Sequence, residues 1–189
     1  IYSNAEGGTV TFTSSYFYSN VASVKGGAIH AAGTEDLQIT SCEFKNNEAG
    51  ISGEGDGSGG DVYAADGVTL TVDKSSFEES AAEYGGAAIE CCGATIEGST
   101  FYGAESGSDV SINYGGAVLV GRPGSEECQN NLIMDNVTFD SCSVQENSGV
   151  GGSVAIFDTS ATLIDILFQN SQGTALLFQS SDADGAHSI

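Results

Sequence analysis

Apolar and polar residues alternate along short stretches of this chain. Val68, Leu70 and Val72 are separated by threonines, and Leu37 and Ile39 are separated by a glutamine. An alternation with period two is typical of β-strands with one buried face. Gly, Ser, Thr and Asn interrupt the pattern every few residues, which is too often for a long helix. The sequence therefore predicts many short strands.

These strands belong to a motif that recurs through the chain. Each copy combines a double glycine, which opens a strand, with a phenylalanine that marks a turn. The double glycines begin at Gly26, Gly59, Gly85, Gly115 and Gly151, and the aromatic marks are Phe17, Phe44, Phe77, Phe101, Phe139 and Phe168. A sustained period of roughly 20 to 50 residues is typical of a solenoid, a propeller or an array.

Short strands with glycine at regular corners predict a parallel β-helix, in which stacked coils share one core. At ~4.8 Å per coil, about six coils would make about 30 Å of solenoid. The phenylalanines are predicted to stack on one another inside, and each double glycine to occupy a corner that needs positive φ or close backbone approach. Tyr16 and Tyr18 flank Phe17, so they are predicted to point outward.

The pairing of Phe17-x-x-Asn20 with Gly26-Gly27-Ala28-Ile29 resembles the repeats of the chlamydial polymorphic outer-membrane proteins. Phe44-x-x-Asn47 keeps the pattern, and the later copies drift from it. The resemblance implies an all-β fold, a single-stranded right-handed parallel β-helix. It also implies a place on a cell surface, in adhesion or as a stalk.

Length and charge limit the function. A chain of 189 residues fits one domain, predicted at residues 1–189, and its opening in mid-pattern suggests a segment of something longer. The net charge is −22, with only 4 Lys and Arg, so no basic patch for nucleic acid or an anionic membrane can form. No apolar run is long enough to insert into a membrane. The many acidic residues favour solubility in a salty or extracellular medium. Alternatively, they bind divalent cations.

An acidic, glycine-rich stretch offers a candidate metal site. Glu54, Asp56 and Asp61 alternate with glycines, an arrangement that offers oxygen ligands for calcium on a flexible backbone. The stretch does not match the EF-hand pattern, so a solvated acidic loop remains the alternative. Calcium is the one cofactor that the sequence suggests.

Five cysteines leave at least one thiol unpaired, or one for an intermolecular link. Ile89 follows its double glycine one position later than the other coils predict, which suggests a one-residue bulge. Cys91 would then face inward as an inert thiol and Cys92 outward. An insert ending in Cys128 lies at the matching corner one coil later, so we predict a Cys92–Cys128 disulfide. The pairing of Cys42 and Cys142 stays open.

Two further features concern the surface. Asn136-Val137-Thr138 is the single N-x-[ST] sequon, a glycan site at Asn136 in a secreted eukaryotic chain and otherwise an unmodified turn. Strict alternation places Ile164, Ile166 and Phe168 inside. The expected apolar interface is then made by the outward side chains of Leu163, Leu167, Leu176 and Phe178.

Three classes of function follow. An enzyme acting on acidic polysaccharides would need basic side chains that hold the substrate, or paired carboxyl groups. The four scattered bases of this negative chain would not hold such a substrate, and we expect no enzyme. The favoured hypothesis is an extracellular structural protein, a protomer of a surface appendage, filament or wall. It would self-associate, or bind further parts of its parent chain, through the apolar last coil. The alternative is a surface adhesin that binds glycans or host cell-surface molecules.

Overall fold

A computed structural model describes residues 1–3, 7–33, 36–50, 57–107, 114–122, 131–144 and 150–179. The strands in these ranges are β1 (Tyr2–Ser3), β2 (Thr9–Thr13), β3 (Tyr16–Tyr18), β4 (Val21–Ala22), β5 (Ile29–Ala31), β6 (Asp36–Thr40), β7 (Glu43–Lys45), β8 (Glu48–Ala49), β9 (Val62–Ala64), β10 (Thr69–Asp73), β11 (Ser76–Glu78), β12 (Ala81–Ala82), β13 (Ile89–Cys91), β14 (Ala94–Glu97), β15 (Thr100–Tyr102), β16 (Glu105–Ser106), β17 (Val118–Val120), β18 (Leu132–Asp140), β19 (Ser143–Val144), β20 (Val154–Phe157), β21 (Ala161–Gln169) and β22 (Leu176–Gln179). The described ranges hold no helix suited by length and apolarity to membrane crossing.

All strand pairs are parallel, and each strand pairs with its counterpart in the next coil. Sheet A has the order β1-β5-β9-β13-β17-β20-β22, and sheet C has the order β19-β16-β12-β8-β4. Sheet B contains β2, β6, β10 and β14 beside β3, β7, β11 and β15, and β18 and β21 run through both halves. The chain therefore winds through sheets B, C and A in turn. Coils 1 to 4 are β2–β5, β6–β9, β10–β13 and β14–β17, coil 5 is β18–β20, and coil 6 is β21–β22.

Each coil turns at three corners with positive φ. The corner inside sheet B carries Ser14, Ser41, Lys74, Gly98, Asn136 and Asp165, and the corner between sheets B and C carries Ser19, Asn46, Glu79, Gly103, Ser141 and Asn170. The corner before sheet A carries only glycine in coils 1 to 5, namely Gly26, Gly59, Gly86, Gly115 and Gly151. Single left-handed residues thus bend an otherwise extended chain into a closed coil.

The internal phenylalanine ladder is confirmed. The rings of Phe17, Phe44, Phe77, Phe101, Phe139 and Phe168 stack in this order, with centroids 4.6, 4.8, 4.7, 4.9 and 5.2 Å apart. Interplanar angles stay between 6° and 13°. These separations match the spacing of paired strands, about 4.8 Å, so the coil repeat itself imposes the stacking.

The expected one-residue bulge before β13 does not form. Gly85 pairs with Ser58 and Tyr114, ahead of the corner, and Gly86 is the corner glycine with φ of 56°. Ala87 therefore occupies the position that a second glycine takes in neighbouring coils. Ile89 then pairs in register with Val62 and Val118. The glycine pair has moved along the coil, while the strand has kept its register.

Candidate functional site

The outer face of sheet B carries a groove along the corner between its two halves. The groove has a volume of about 260 Å³ and is lined by side chains from successive coils, including Tyr16, Glu43, Lys74, Ser76 and Thr100. These residues meet because parallel pairing in register places Tyr16 beside Glu43, Glu43 beside Ser76, and Ser76 beside Thr100. The lining thus combines one aromatic ring, hydroxyl groups and one charge of each sign.

Tyr16 and Tyr18 point outward as predicted. The two side chains are 69% and 49% exposed, and their ring centroids lie 6.0 Å apart. The Tyr18 hydroxyl donates a hydrogen bond to Glu43 Oε1 over 2.6 Å. This bond, together with desolvation and the nearby carboxylate charge, raises the pKa of Tyr18 to about 12. The pair offers an exposed aromatic surface with one hydroxyl already engaged.

The four basic side chains all have partners. Lys25 Nζ lies 3.0 Å from the Tyr63 hydroxyl, Lys74 Nζ lies 3.0 Å from an Asp73 carboxylate oxygen, and Lys45 Nζ lies 2.8 Å from Glu78 Oε2. The hydrogen bond to Glu78 raises the pKa of Lys45. Arg122 Nε donates to Glu90 Oε1 over 2.6 Å. The bases are therefore spread over separate pairs and form no anion-binding cluster.

The Arg122–Glu90 pair lies against an apolar cluster on the outside of sheet A, whose buried members the sequence analysis missed. Leu119, Ala155 and Phe157 are buried there, with Tyr84, Tyr114 and Leu177 packed against them. The guanidinium carbon of Arg122 lies 4.9 Å from the Tyr84 ring centroid. The run Val118-Leu119-Val120 was the available signal, because a strand that is apolar on both faces is covered on both.

Asp61, one of the three predicted calcium ligands, lies in the core and not in a solvated loop. Its carboxyl group is fully buried. Asn47 Nδ2 donates to Oδ1 over 2.7 Å, and Ser80 Oγ donates to Oδ2. Desolvation raises the pKa of Asp61 to about 8, although these two hydrogen bonds act in the opposite direction. Because both carboxyl oxygens of Asp61 are bonded inside the core, its carboxyl group is not open to a calcium ion in this structure.

Glu54 and Asp56, the other two predicted ligands, lie outside the described residues. Within the described ranges, no group of three or more His, Cys, Asp and Glu side chains is arranged to hold a metal ion. A role for calcium therefore stays a prediction, and it concerns Glu54 and Asp56 without Asp61.

The cysteines divide into two kinds. Cys92 is disulfide-bonded, whereas Cys42, Cys91 and Cys142 are buried free thiols. Burial raises the pKa of Cys91 to about 12 and that of Cys142 to about 11, so both thiols are unreactive. Cys128, the predicted partner of Cys92, lies outside the described residues, and their pairing stays a prediction.

Asn136, the candidate glycan site, is exposed and occupies the sheet B corner of coil 5 with φ of 52°. Its side chain is therefore accessible at a bend of the solenoid. A glycan at Asn136 stays a prediction.

The predicted outward interface of coil 6 needs correction. Asp165 takes the left-handed corner position, so the alternation of β21 changes phase there. Leu163 therefore packs against the core together with Ile166 and Phe168, whereas Ile164 points outward and is 46% exposed. Strict alternation had reversed Leu163 and Ile164.

The remaining predicted interface residues also divide. Leu176 packs against the core, paired with Val154, so it was wrongly placed on the outside. Leu167 does point outward and is 50% exposed, and Phe178 is 46% exposed at the end of the core. We call Ile164, Leu167 and Phe178 the terminal patch.

Comparison with known protein families gives a match that covers nearly the whole chain. The family model described as "Right handed beta helix region" matches residues 1–184. The chain belongs to the right-handed β-helix family. Neither the curated proteins nor the solved structures contain a significant match.

Membership of the right-handed β-helix family is compatible with more than one activity. The family includes pectate lyase-like enzymes and non-enzymes, and its domains are often found in extracellular surface or adhesin-like proteins. The choice between an enzyme and a non-enzyme therefore depends on the carboxyl groups, the basic side chains and the exposed apolar side chains of this β-helix.

Proposed function

We propose that this β-helix is a non-enzymatic extracellular structural protein, a protomer of a surface appendage, filament or wall. Residues 1–189 act as one β-helix domain that stacks on a second copy of itself through coil 6. The terminal patch is the observation that carries this proposal. In the columns of Ile164 and Leu167, the coil below has Asp135 and Thr138.

At the coil 6 end of the solenoid, partly buried core side chains extend the apolar surface of the terminal patch. Leu163, Ile166, Phe168 and Leu176 contact the core but are only partly buried. At the opposite end, Val10 and Phe12 of β2 are likewise partly buried. Apolar side chains that remain open in this way favour contact with another coil. A contact between unlike ends does not close by a two-fold axis, so it would propagate into a fibre.

A non-enzymatic role is supported by the contacts of the buried carboxyl groups and of the basic side chains, which are engaged with partners inside the protein. Asp61 has both oxygens engaged by Asn47 and Ser80, and Glu90 is held by Arg122. A glycoside hydrolase needs two carboxyl groups that face one substrate, and a lyase acting on uronates needs free basic side chains. The buried acids and all four bases of the described residues are engaged in hydrogen bonds or ion pairs, which supports a non-enzymatic role.

We also propose an extracellular location and a repeat of the chlamydial type. The disulfide bond at Cys92 favours an oxidising compartment. The Phe-x-x-Asn turns contribute a partly buried polar link between coils, because Asn20 Nδ2 donates to Asn47 Oδ1 over 2.8 Å. The likeness to the repeats of the chlamydial polymorphic outer-membrane proteins rests on the Phe-x-x-Asn and Gly-Gly-Ala-Ile motifs themselves.

Stacking predicts that charges in the terminal patch will disperse the assembly. The double variant Leu167→Asp with Phe178→Asp should keep the β-sheet circular dichroism spectrum but shift the protein to monomers, because two charges would be desolvated in each contact. Analytical ultracentrifugation and electron microscopy of the wild type and the variant measure the change.

Thr100→Asp is the matched control, since Thr100 is exposed in the same outward column as Leu167, two coils away. This control should assemble like the wild type. The stacking proposal is wrong if the wild-type protein is monomeric at high concentration, or if the double variant assembles unchanged.

A second candidate function, a surface adhesin that binds glycans or host cell-surface molecules, is favoured by the groove on sheet B. Tyr16 presents an exposed ring to the groove, which the hydroxyl groups of Ser76 and Thr100 also line, and the exposed ring of Tyr18 lies next to Tyr16. Aromatic faces combined with polar groups suit sugar rings, which have both apolar and hydroxyl surfaces.

The adhesin candidate predicts that Tyr16→Ala weakens glycan binding at least about tenfold, the loss of about 1.4 kcal/mol of contact free energy. Tyr2→Ala is the control, because Tyr2 is 64% exposed on sheet A, away from the groove. Glycan-array screening followed by calorimetric titration measures both variants. Equal binding by the two variants would rule out the groove as the glycan site.

A further inference from the structure

A single ionisable residue interrupts a column of small side chains in the core. Backbone hydrogen bonds connect Ala28 to Asp61, Asp61 to Ala88, and Ala88 to Ala117. The same column continues with Ser153 in coil 5 and Ala175 in coil 6. Asp61 is thus the one acid in this column of the described coils, at a position where other coils place a methyl or hydroxyl group.

The carboxyl group of Asp61 is part of a buried hydrogen-bond chain, which we call the Asp61 network. Asn20 Nδ2 donates to Asn47 Oδ1, Asn47 Nδ2 donates to Asp61 Oδ1, and Ser80 Oγ lies within hydrogen-bond distance of Asp61 Oδ2. Asn47 and Ser80 are buried as well. The network crosses coils 1 to 3 and joins the end of β7 to the start of β9.

No charged side chain of the described residues faces Asp61. On the strands packed against it, Lys45 and Glu78 form an outward ion pair, and Glu48 is exposed. Tyr63, on the strand that Asp61 precedes, is outward and bonded to Lys25. Glu79 is exposed at its corner. A carboxylate at this site would therefore be buried beside neutral partners alone, which strongly favours the uncharged acid.

We propose that Asp61 is a pH-sensitive latch in the core, neutral when coils 1 to 3 are tightly packed and loosening them when it ionises. In the neutral form, Oδ2 carries the acid proton and donates it to Ser80 Oγ, so this bond runs opposite to the one that the ionised carboxylate accepts from Ser80, while Oδ1 still accepts from Asn47. Ionisation removes that proton and leaves an uncompensated charge inside the solenoid. The protein is thus built to be tighter in acidic than in alkaline surroundings.

The direction of the pH effect follows from linkage. The pKa of Asp61 rises from an ordinary value of 3.8 to about 8 in the folded protein. Between these values, the folded chain holds a proton that the unfolded chain has released, so the contribution of Asp61 to stability falls as the pH rises. Below about pH 4 both states are protonated, and above about pH 8 both are ionised, so the loss is then complete.

Asp61→Asn tests the latch, because an asparagine keeps a neutral polar group in the network. The melting temperature of the variant minus that of the wild type should increase steadily from about pH 4 to about pH 8 and then level off. Amide hydrogen exchange at Val62 and Ala81, whose N–H groups donate to Ala88 and Asn47, should become at least about tenfold faster in the wild type over the same range, after correction for intrinsic exchange, and change little in the variant.

Two further variants keep the test decisive. Asp165→Asn is the matched surface control, because Asp165 is exposed and its left-handed corner is occupied by Asn136 one coil earlier. This control should follow the wild-type pH profile. Asp61→Ala, which copies Ala28 and Ala88, replaces Asp61→Asn if the latter does not fold. A difference between wild type and Asp61 variant that stays constant with pH would overturn the proposal, as would an Asp165→Asn profile that matches the Asp61 variants.

Discussion

Replacing Phe101 by alanine should lower the free energy of unfolding by about 3–5 kcal/mol. Phe101 is fully buried, and its ring stacks on Phe77 at 4.7 Å and on Phe139 at 4.9 Å. The variant loses the buried aromatic surface and both stacking contacts, and it leaves a cavity between two coils. Because each coil of a solenoid is stabilised by its neighbours, a defect in coil 4 weakens both sides of the array.

Tyr102→Ala is the control for this prediction. Tyr102 is the next residue on the same strand, but it points outward and is 49% exposed. Its removal should cost less than about 1 kcal/mol. Denaturant unfolding, followed by circular dichroism, measures both variants. If the two changes cost the same, the ladder is not the main source of cohesion between the coils.

The ladder and the coil count were predictable from the sequence because they depend on repetition. A phenylalanine that returns once per coil has to lie above its predecessor when strands pair in register, whatever the details of the turns. The outward direction of Tyr16 and Tyr18 follows in the same way from their position beside Phe17. Local alternation and the repeat together determine which side of the sheet these side chains occupy.

The errors in coil 6 arose where backbone conformation changes the alternation. A left-handed residue such as Asp165 reverses the phase of a strand, yet many residue types can occupy that corner. Leu163 and Ile164 were therefore assigned to the wrong faces. The corresponding residue of coil 5, Asn136, gave a usable signal, since Asn tolerates positive φ better than most residues.

The Asp61 network could not be predicted because it depends on contacts between separate coils. An acid next to a glycine-rich stretch is typical of a loop, and the alternation of Glu54 and Asp56 with glycines extended that pattern to Asp61. Asn47 lies across coil 2 from Asp61, Ser80 lies in coil 3 and Asn20 in coil 1, and only the folded coils bring them together. The Phe-x-x-Asn motif marked Asn47 without showing what its side chain would bind.

The second large effect is expected at the corner before sheet A, where coils 1 to 5 all have glycine. At Gly86, φ is 56°, and an added Cβ would overlap the carbonyl oxygen of Ile89. Gly86→Ala should therefore cost about 3 kcal/mol, which combines about 1–2 kcal/mol for a left-handed alanine with a steric conflict that costs at least about 1 kcal/mol. The backbone of Ile89 belongs to β13, so the conflict cannot be relieved by rotating a side chain.

Gly103→Ala separates the steric conflict from the conformational cost. Gly103 has nearly the same φ, 62°, but a Cβ there would come no closer than 3.7 Å to a neighbour, the Cγ atom of Glu79. Ser19, Asn46 and Glu79 already occupy this corner in other coils with positive φ. We therefore expect Gly103→Ala to cost only about 1 kcal/mol, since a less flexible unfolded chain offsets part of the strain. Thermal and denaturant unfolding of the two variants should differ by about 2 kcal/mol. Equal losses would mean that positive φ alone makes glycine necessary before sheet A, and that close backbone approach plays no part there.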